Sequence, residues 1–268
     1  MPVKLGLTLI PEKPIPVQEL TPDRLHGLFF SLVGDTLAPI LHEPRRVKPF
    51  TLSFYISSSR KRRSIFSERE GEAERLHMNV SFLEDALFPR FLYSYMLGAK
   101  REFHIGGHRL RALRRPNITD KYLKSYSTLY EEAQTLRRVM LEFTTPTVFR
   151  RGSRDLLLPE PKLIFKGLIR KWQAYSDLKI DIDLREYIED KVFISGVWIG
   201  SRRVEFSSGG WVGGFTGRVI LGFDSEEERV LKWLNTLARF AEFAGVGRKT
   251  TMGFGQVRFH SALPEGEI

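Results

Sequence analysis

The order in which strand and helix signals follow one another leaves this chain few architectures. Val3–Ile10 alternates apolar residues and stops at Pro11, a strand signal. Thr21-Pro22-Asp23 supplies an N-cap and a proline at the first helical position. Leu25, Leu28, Phe29, Leu32, Thr36, Leu37 and Ile40 then recur at helical spacing. Phe50–Ser57 reads as the next strand, 58–74 as a polar hairpin tip or mobile loop, and Leu76–Phe82 as a strand. A helix over Leu83–Gly98 and a strand over Glu102–Leu113 complete the series.

The same order returns in the second half. Val139–Thr145 is a strand ended by Pro146, and Pro161–Tyr175 is a helix with apolar residues at 164, 165, 168, 169 and 172. Val192–Ile199 and Gly214–Phe223 are strands. Asp224-Ser225-Glu-Glu-Glu opens a helix with acidic side chains on the positive end of its dipole, and Gln256–His260 is a last strand. Trp172 and Trp233 fall on helix stripes and read as core. Thr119–Gln134 is polar and reads as a linker. Strand–helix–strand–strand–helix–strand, twice over, implies an α+β protein of two tandem ferredoxin-like domains with antiparallel sheets, one over 1–125 and one over 135–268.

The 268 residues carry 42 Lys and Arg against 32 Asp and Glu, a net charge of +10 shared by both halves. Such a balance on a folded chain points to an acidic partner, nucleic acid or an anionic membrane surface. The chain has no cysteine, which removes disulfides, thiolate metal sites and a cysteine nucleophile. No run approaches 18 apolar residues and the N-terminus has no secretion signal, so the expectation is a cytoplasmic protein with no membrane contact.

Gly245-Val-Gly-Arg-Lys-Thr-Thr-Met-Gly-Phe-Gly255 is the segment with most functional content. Its four glycines, Gly245, Gly247, Gly253 and Gly255, permit positive φ and close approach of backbone to a ligand, and Arg248 and Lys249 add charge at the same place. Thr250 stands where a dinucleotide-binding loop would need its third glycine, and no lysine follows the spaced glycine as a P-loop requires. A structural turn and a phosphate-backbone cradle are both open on this pattern.

A helix running into this loop near the C-terminal end resembles the CRISPR-associated endoribonucleases that process repeat RNA, the sixth Cas family. Two other segments share the resemblance: Leu41-His-Glu-Pro-Arg-Arg-Val-Lys-Pro-Phe-Thr-Leu-Ser-Phe54, and Phe143-Thr-Thr-Pro-Thr-Val-Phe-Arg-Arg151 followed by Leu158-Pro-Glu-Pro161. The resemblance implies paired RRM-type domains and metal-independent cleavage of a CRISPR precursor transcript, by attack of a 2′-hydroxyl on the adjacent phosphate. No cofactor is implied. Partners would be repeat RNA, as precursor and as mature guide, with a homodimer and a CRISPR effector complex as further possibilities.

This cleavage needs a base, an acid and a cation for the phosphorane charge. Histidine suits either proton role and lysine the third. The family places a catalytic His and Lys at the spacing of His42 and Lys48, which implies His42 as acid or base and Lys48 as transition-state stabiliser. The alternative for His42 is a helix-end residue interacting with the dipole. Where the family often carries a catalytic tyrosine on the first helix, this chain has Phe30, which cannot move a proton. His26 lies four residues earlier on the same face and is expected to replace the tyrosine, giving a His26/His42 pair; a partly buried helix histidine is the alternative. Arg150, Arg151, Arg202, Arg203, Arg248, Lys249, the loop amides and the run Arg60–Arg63 are candidates for RNA backbone contacts, with a disordered tip as the equal alternative for that run. His104 and His108 are separated by Gly106-Gly107, and Asp181 and Asp183 read as a solvated face, so no metal site is expected. Two rival readings remain: a repeat-RNA-binding protein that cuts poorly or not at all, for which Phe30 is the main support, and an RRM-like adaptor whose glycine loop is purely structural.

Overall fold

The computed structural model describes residues 1–58, 61–67, 70–98 and 101–262. The chain runs β1 (Val3–Pro11), β2 (Ile15–Pro16), α1 (Pro22–His42), β3 (Phe50–Ser58), β4 (Lys61–Ser64), β5 (Glu72–Ala73), β6 (Arg75–Phe82), α2 (Leu87–Leu97), β7 (Glu102–Ile105), β8 (His108–Ala112) and β9 (Asn117–Leu123). It continues with α3 (Tyr126–Glu131), β10 (Arg138–Thr147), β11 (Phe149–Arg151), β12 (Arg154–Leu156), α4 (Pro161–Tyr175), α5 (Leu184–Asp190), β13 (Val192–Glu205), β14 (Trp211–Phe223), α6 (Glu228–Ala244) and β15 (Val257–His260).

Two main antiparallel sheets form, beside the two-stranded pairs β2–β5 and β11–β12. The first has the order β4-β3-β6-β1-β8-β7, with β9 also on β1, and the second the order β13-β14-β10-β15. In each, the first and third strands of the series lie side by side at the centre with the second and fourth outside them, which is the ferredoxin-like arrangement expected from the element order. In the first sheet the fourth position is split. β8 pairs with Leu9–Pro11 of β1, and β9 takes the other end of the same edge, at Val3–Gly6.

Three sequence expectations are corrected. The expected linker at Thr119–Gln134 is instead the end of β9, a capped helix α3 whose Ser125 Oγ accepts from the Thr128 amide at 2.8 Å, and only a short connection. Glu102–Leu113 is a hairpin rather than one strand, because Gly106 turns at φ 56°. The helix expected from Leu83 starts at Leu87: the Leu83 amide still donates to the Pro49 carbonyl, and its side chain is buried in the second core. The polar 58–74 segment contains β4 and β5, with part of it outside the described residues. No helix among the described residues is long and apolar enough to cross a membrane.

Each sheet carries its own apolar core. The second is built around Trp172 and Trp233, both fully buried, whose rings meet edge-on at 5.7 Å, with Phe240 at 5.2 Å from Trp172. The two halves are joined where α6 ends. The final carbonyls of a helix have no partner inside it, and here side chains supply them. Lys4 Nζ on β1 donates to Glu242 O at 2.9 Å, Thr51 Oγ1 on β3 to Phe243 O at 2.9 Å, and Lys171 Nζ on α4 to Ala244 O and Gly245 O at 2.5 and 2.9 Å. An unpaired buried carbonyl costs about 1–3 kcal/mol, so these donors fix the helix end firmly. Burial, assisted by the Arg170 charge, lowers Lys171 to about 7, and burial lowers Lys4 to about 8 against the pull of Glu242. The first sheet therefore determines where the glycine segment after α6 begins.

Candidate active site

The first helix is two helices. Gly34 adopts φ 74° and ψ 174°, a conformation open to glycine and strained for other residues. Phe30 and His42 are twelve residues apart, about 18 Å along a straight helix at 1.5 Å per residue. Their rings nevertheless stack at 3.8 Å with 24° between planes. The break at Gly34 folds the second segment back, and Ser94 Oγ on α2 donates to the Val33 carbonyl at the break, at 3.3 Å.

His26 meets the same phenyl ring edge-on, with the ring centroids 4.9 Å apart. One side chain thus touches both imidazoles. His26 Nδ1 is 2.8 Å from the Thr251 carbonyl in the glycine loop. A carbonyl only accepts, so Nδ1 carries a proton and Nε2 of the neutral ring keeps its lone pair. Burial lowers the His26 pKa, the Thr251 carbonyl opposes the shift, and the charges of His42, Lys48 and Lys249 lower it further. His42 is exposed at the end of α1. Lys48 Nζ donates to Glu43 O at 2.6 Å and to Leu41 O and His42 O at 3.3 and 3.4 Å. It therefore caps the negative end of α1 and places its charge directly behind His42.

Two glycines of the loop are required by close approach of the protein's own backbone. A β-carbon on Gly255 would lie 1.9 Å from Val246 O, and one on Gly247 2.5 Å from Val148 O. At these two positions the protein's own backbone fills the space a side chain would take. Gly245 ends α6 and Gly253 leaves the short helical turn at Thr250–Met252, both at positive φ. Thr250 is buried inside the loop. Lys249 is held at φ 59° and ψ 26°, the single non-glycine residue at positive φ among those described, with its ammonium 4.9 Å from the Phe206 ring.

The hairpin β11–β12 lies against this loop, since the Arg248 amide donates to Val148 O at 3.0 Å and the Arg248 guanidinium pairs with Asp155 at 2.5 Å. Arg151 is likewise held, by both oxygens of Glu160 at 2.6 and 2.8 Å. Among the described residues Arg150 and Lys249 have no ion pair, so they are more available than Arg151 and Arg248. Arg203 lies over the Trp211 ring at 4.8 Å and pairs with Glu205. Of the run Arg60–Arg63, Arg60 lies outside the described residues, while Arg62 stacks over Tyr55 and donates to Asn79 at the mouth of a cleft of about 600 Å³ between the two sheets.

The structure thus brings His26, His42, Lys48 and Lys249 to one place and sets Arg150 and Arg151 on the neighbouring hairpin. His108 instead pairs with Glu19, and Asp181 is taken up by Arg229 and the Trp233 indole. His77 is held between Thr8 and Ser57, with burial lowering it to about 4, and His260 meets Glu142. Sequence reasoning missed Gly34, Ser94 and Thr251. An isolated glycine within a helical stripe was the available signal for the first.

Known proteins match this chain along nearly its whole length. The family model for the CRISPR Cas6 N-terminal domain covers residues 1–131, and that for CRISPR-associated endoribonuclease Cas6 covers residues 141–257. A solved Cas6 product complex is 30% identical, covering 97% of this chain and 100% of its own, with a TM-score of 0.78. The chain belongs to the Cas6 family. The structure of Thermus thermophilus Cas6 is 31% identical, with 97% and 98% of the two chains covered and a TM-score of 0.72. The Cas6 endoribonuclease of Mycobacterium tuberculosis (strain CDC 1551 / Oshkosh) is 27% identical over 180 residues, 63% of this chain. The match spans 55% of that curated Cas6, about half its length.

Proposed function

We propose that this Cas6-family chain is a metal-independent endoribonuclease that cuts CRISPR precursor transcripts within the repeat, and that His26 and His42 carry the proton transfers. The observation that carries the reading is the single phenyl ring of Phe30 in contact with both imidazoles. His26, with its proton on Nδ1 and its pKa held down, suits the base: Nε2 takes the proton of the 2′-hydroxyl as that oxygen bonds to the adjacent phosphorus. The bond from phosphorus to the 5′-oxygen breaks, and protonated His42 gives its proton to that oxygen. One strand then ends in a 2′,3′-cyclic phosphate and the other in a 5′-hydroxyl. Lys48 and Lys249 supply positive charge for the phosphorane oxygens. With its donors on three carbonyls Lys48 acts through its field, whereas Lys249 has no ion pair among the described residues. Arg150 and the glycine loop hold the RNA backbone beside them, and Arg151 and Arg248 stiffen that surface through their carboxylate partners. Phe30, which lacks the chemistry of a tyrosine, serves as the clamp that spaces the two histidines.

Incubation with repeat RNA in excess EDTA tests the reading. Cleavage is expected to persist. Its acid limb is expected below the ordinary histidine value of about 6.5, because the base must be neutral and the lowered pKa of His26 keeps it neutral to lower pH. Tight binding with no product would favour the rival reading of a protein that retains repeat RNA without cutting it.

A further inference from the structure

Arg46 stands between His42 and Lys48 in sequence, and its side chain leaves the catalytic segment for a second site. It lines a groove of about 420 Å³ with Lys162, Lys166 and Arg170 of α4 and Arg185 of α5, over a floor that includes Ile169 and Ile188. The three α4 cations recur every fourth residue, so they share one face over about 12 Å of helix. The one acid lining the groove, Glu189, is occupied by Lys162. Arg46, Lys166, Arg170 and Arg185 are exposed and have no ion pair among the described residues. Their neighbour Arg45 shows the contrast, tied to Glu43 at 3.0 Å and Glu84 at 2.5 Å. The groove is also joined to the catalytic segment, because the Tyr175 hydroxyl at the end of α4 donates to the Val47 carbonyl.

Gathered like charges repel one another and destabilise the fold unless an anion offsets them. Three separate elements contribute these cations to a concave surface, which a merely solvated helix face does not require. We propose that this groove binds the phosphate backbone of the RNA on one side of the scissile phosphate, extending the substrate track from His42 past Arg46 onto α4 and α5. The inference rests on the endoribonuclease reading and adds a contact surface away from the glycine loop.

The test is the double variant Lys166→Ala with Arg170→Ala, assayed against wild type for repeat-RNA binding across a salt series. Both side chains are exposed, and the thermal midpoint of the variant reports that it is folded. Loss of two phosphate contacts is expected to reduce the slope of log affinity against log salt by about 1.4 and to weaken binding. The charge-preserving pair Lys166→Arg with Arg170→Lys is expected to keep the wild-type slope. With RNAs truncated on either side of the scissile phosphate, the penalty is expected to vanish for one of the two. An unchanged slope in a variant whose wild type cuts RNA overturns the groove alone, as does an equal penalty on both truncated RNAs. A wild type that neither binds nor cuts repeat RNA overturns this inference together with the function on which it rests.

Discussion

His42→Ala is expected to lower the single-turnover rate of repeat cleavage by about 10²–10⁴-fold, the usual contribution of a positioned acid or base, while repeat RNA still binds. His42 is exposed at the end of α1 and its side chain is engaged chiefly by stacking on Phe30. Its removal therefore has little effect on folding and a direct effect on proton transfer. His26→Ala is expected to fall in the same range. The double variant should be little worse than the poorer single one, because groups that act as a unit are not additive. Single-turnover kinetics with separately measured affinities make the comparison. Unchanged cleavage in His26→Ala would refute the pair, leaving His26 as a helix residue that happens to bond Thr251.

The second large effect is expected at a residue with no chemistry. Gly34→Val should reduce cleavage by about 100-fold, the scale on which small misplacements of a catalytic group act, and destabilise the fold by about 1–3 kcal/mol. The cause is the backbone: a β-branched residue resists φ 74° and ψ 174°. Steric crowding is secondary, since an added β-carbon would meet the Ser94 hydroxyl at an ordinary 3.4 Å. Relief of the strain would straighten α1 and carry His42 away from Phe30. Denaturant unfolding and single-turnover cleavage together read both effects, and wild-type cleavage in this variant would show that the kink does not position His42.

The difference between these two predictions reflects what the chain discloses. Alternation in β1 and the stripe of α4 are local periodicities, and both appear where expected. The strand β9 carries no such pattern because five of its seven residues are exposed and none is fully buried, so a paired strand reads as a polar linker. The kink at Gly34 was hidden because Leu32 and Leu37 on either side of it bury into the same core, and the helical stripe runs unbroken in sequence. The spacing of His26 and Phe30 was legible as one helical turn. The Thr251 carbonyl that sets the tautomer of His26 lies 225 residues away and was not. The glycines of the loop were equally visible, but a sequence cannot say whether a missing side chain makes room for a ligand or for the protein's own backbone. At Gly247 and Gly255 it is the backbone.

The most direct test of the account is a repeat RNA with a single 2′-deoxy substitution at the nucleotide 5′ of the scissile phosphate, incubated with the protein in EDTA beside the all-ribose RNA. The account predicts cleavage of the all-ribose RNA to 2′,3′-cyclic phosphate and 5′-hydroxyl ends, with the deoxy RNA bound equally well and left intact. Cleavage of the deoxy RNA at the same position would contradict it, because the attacking oxygen would then come from somewhere other than the RNA itself.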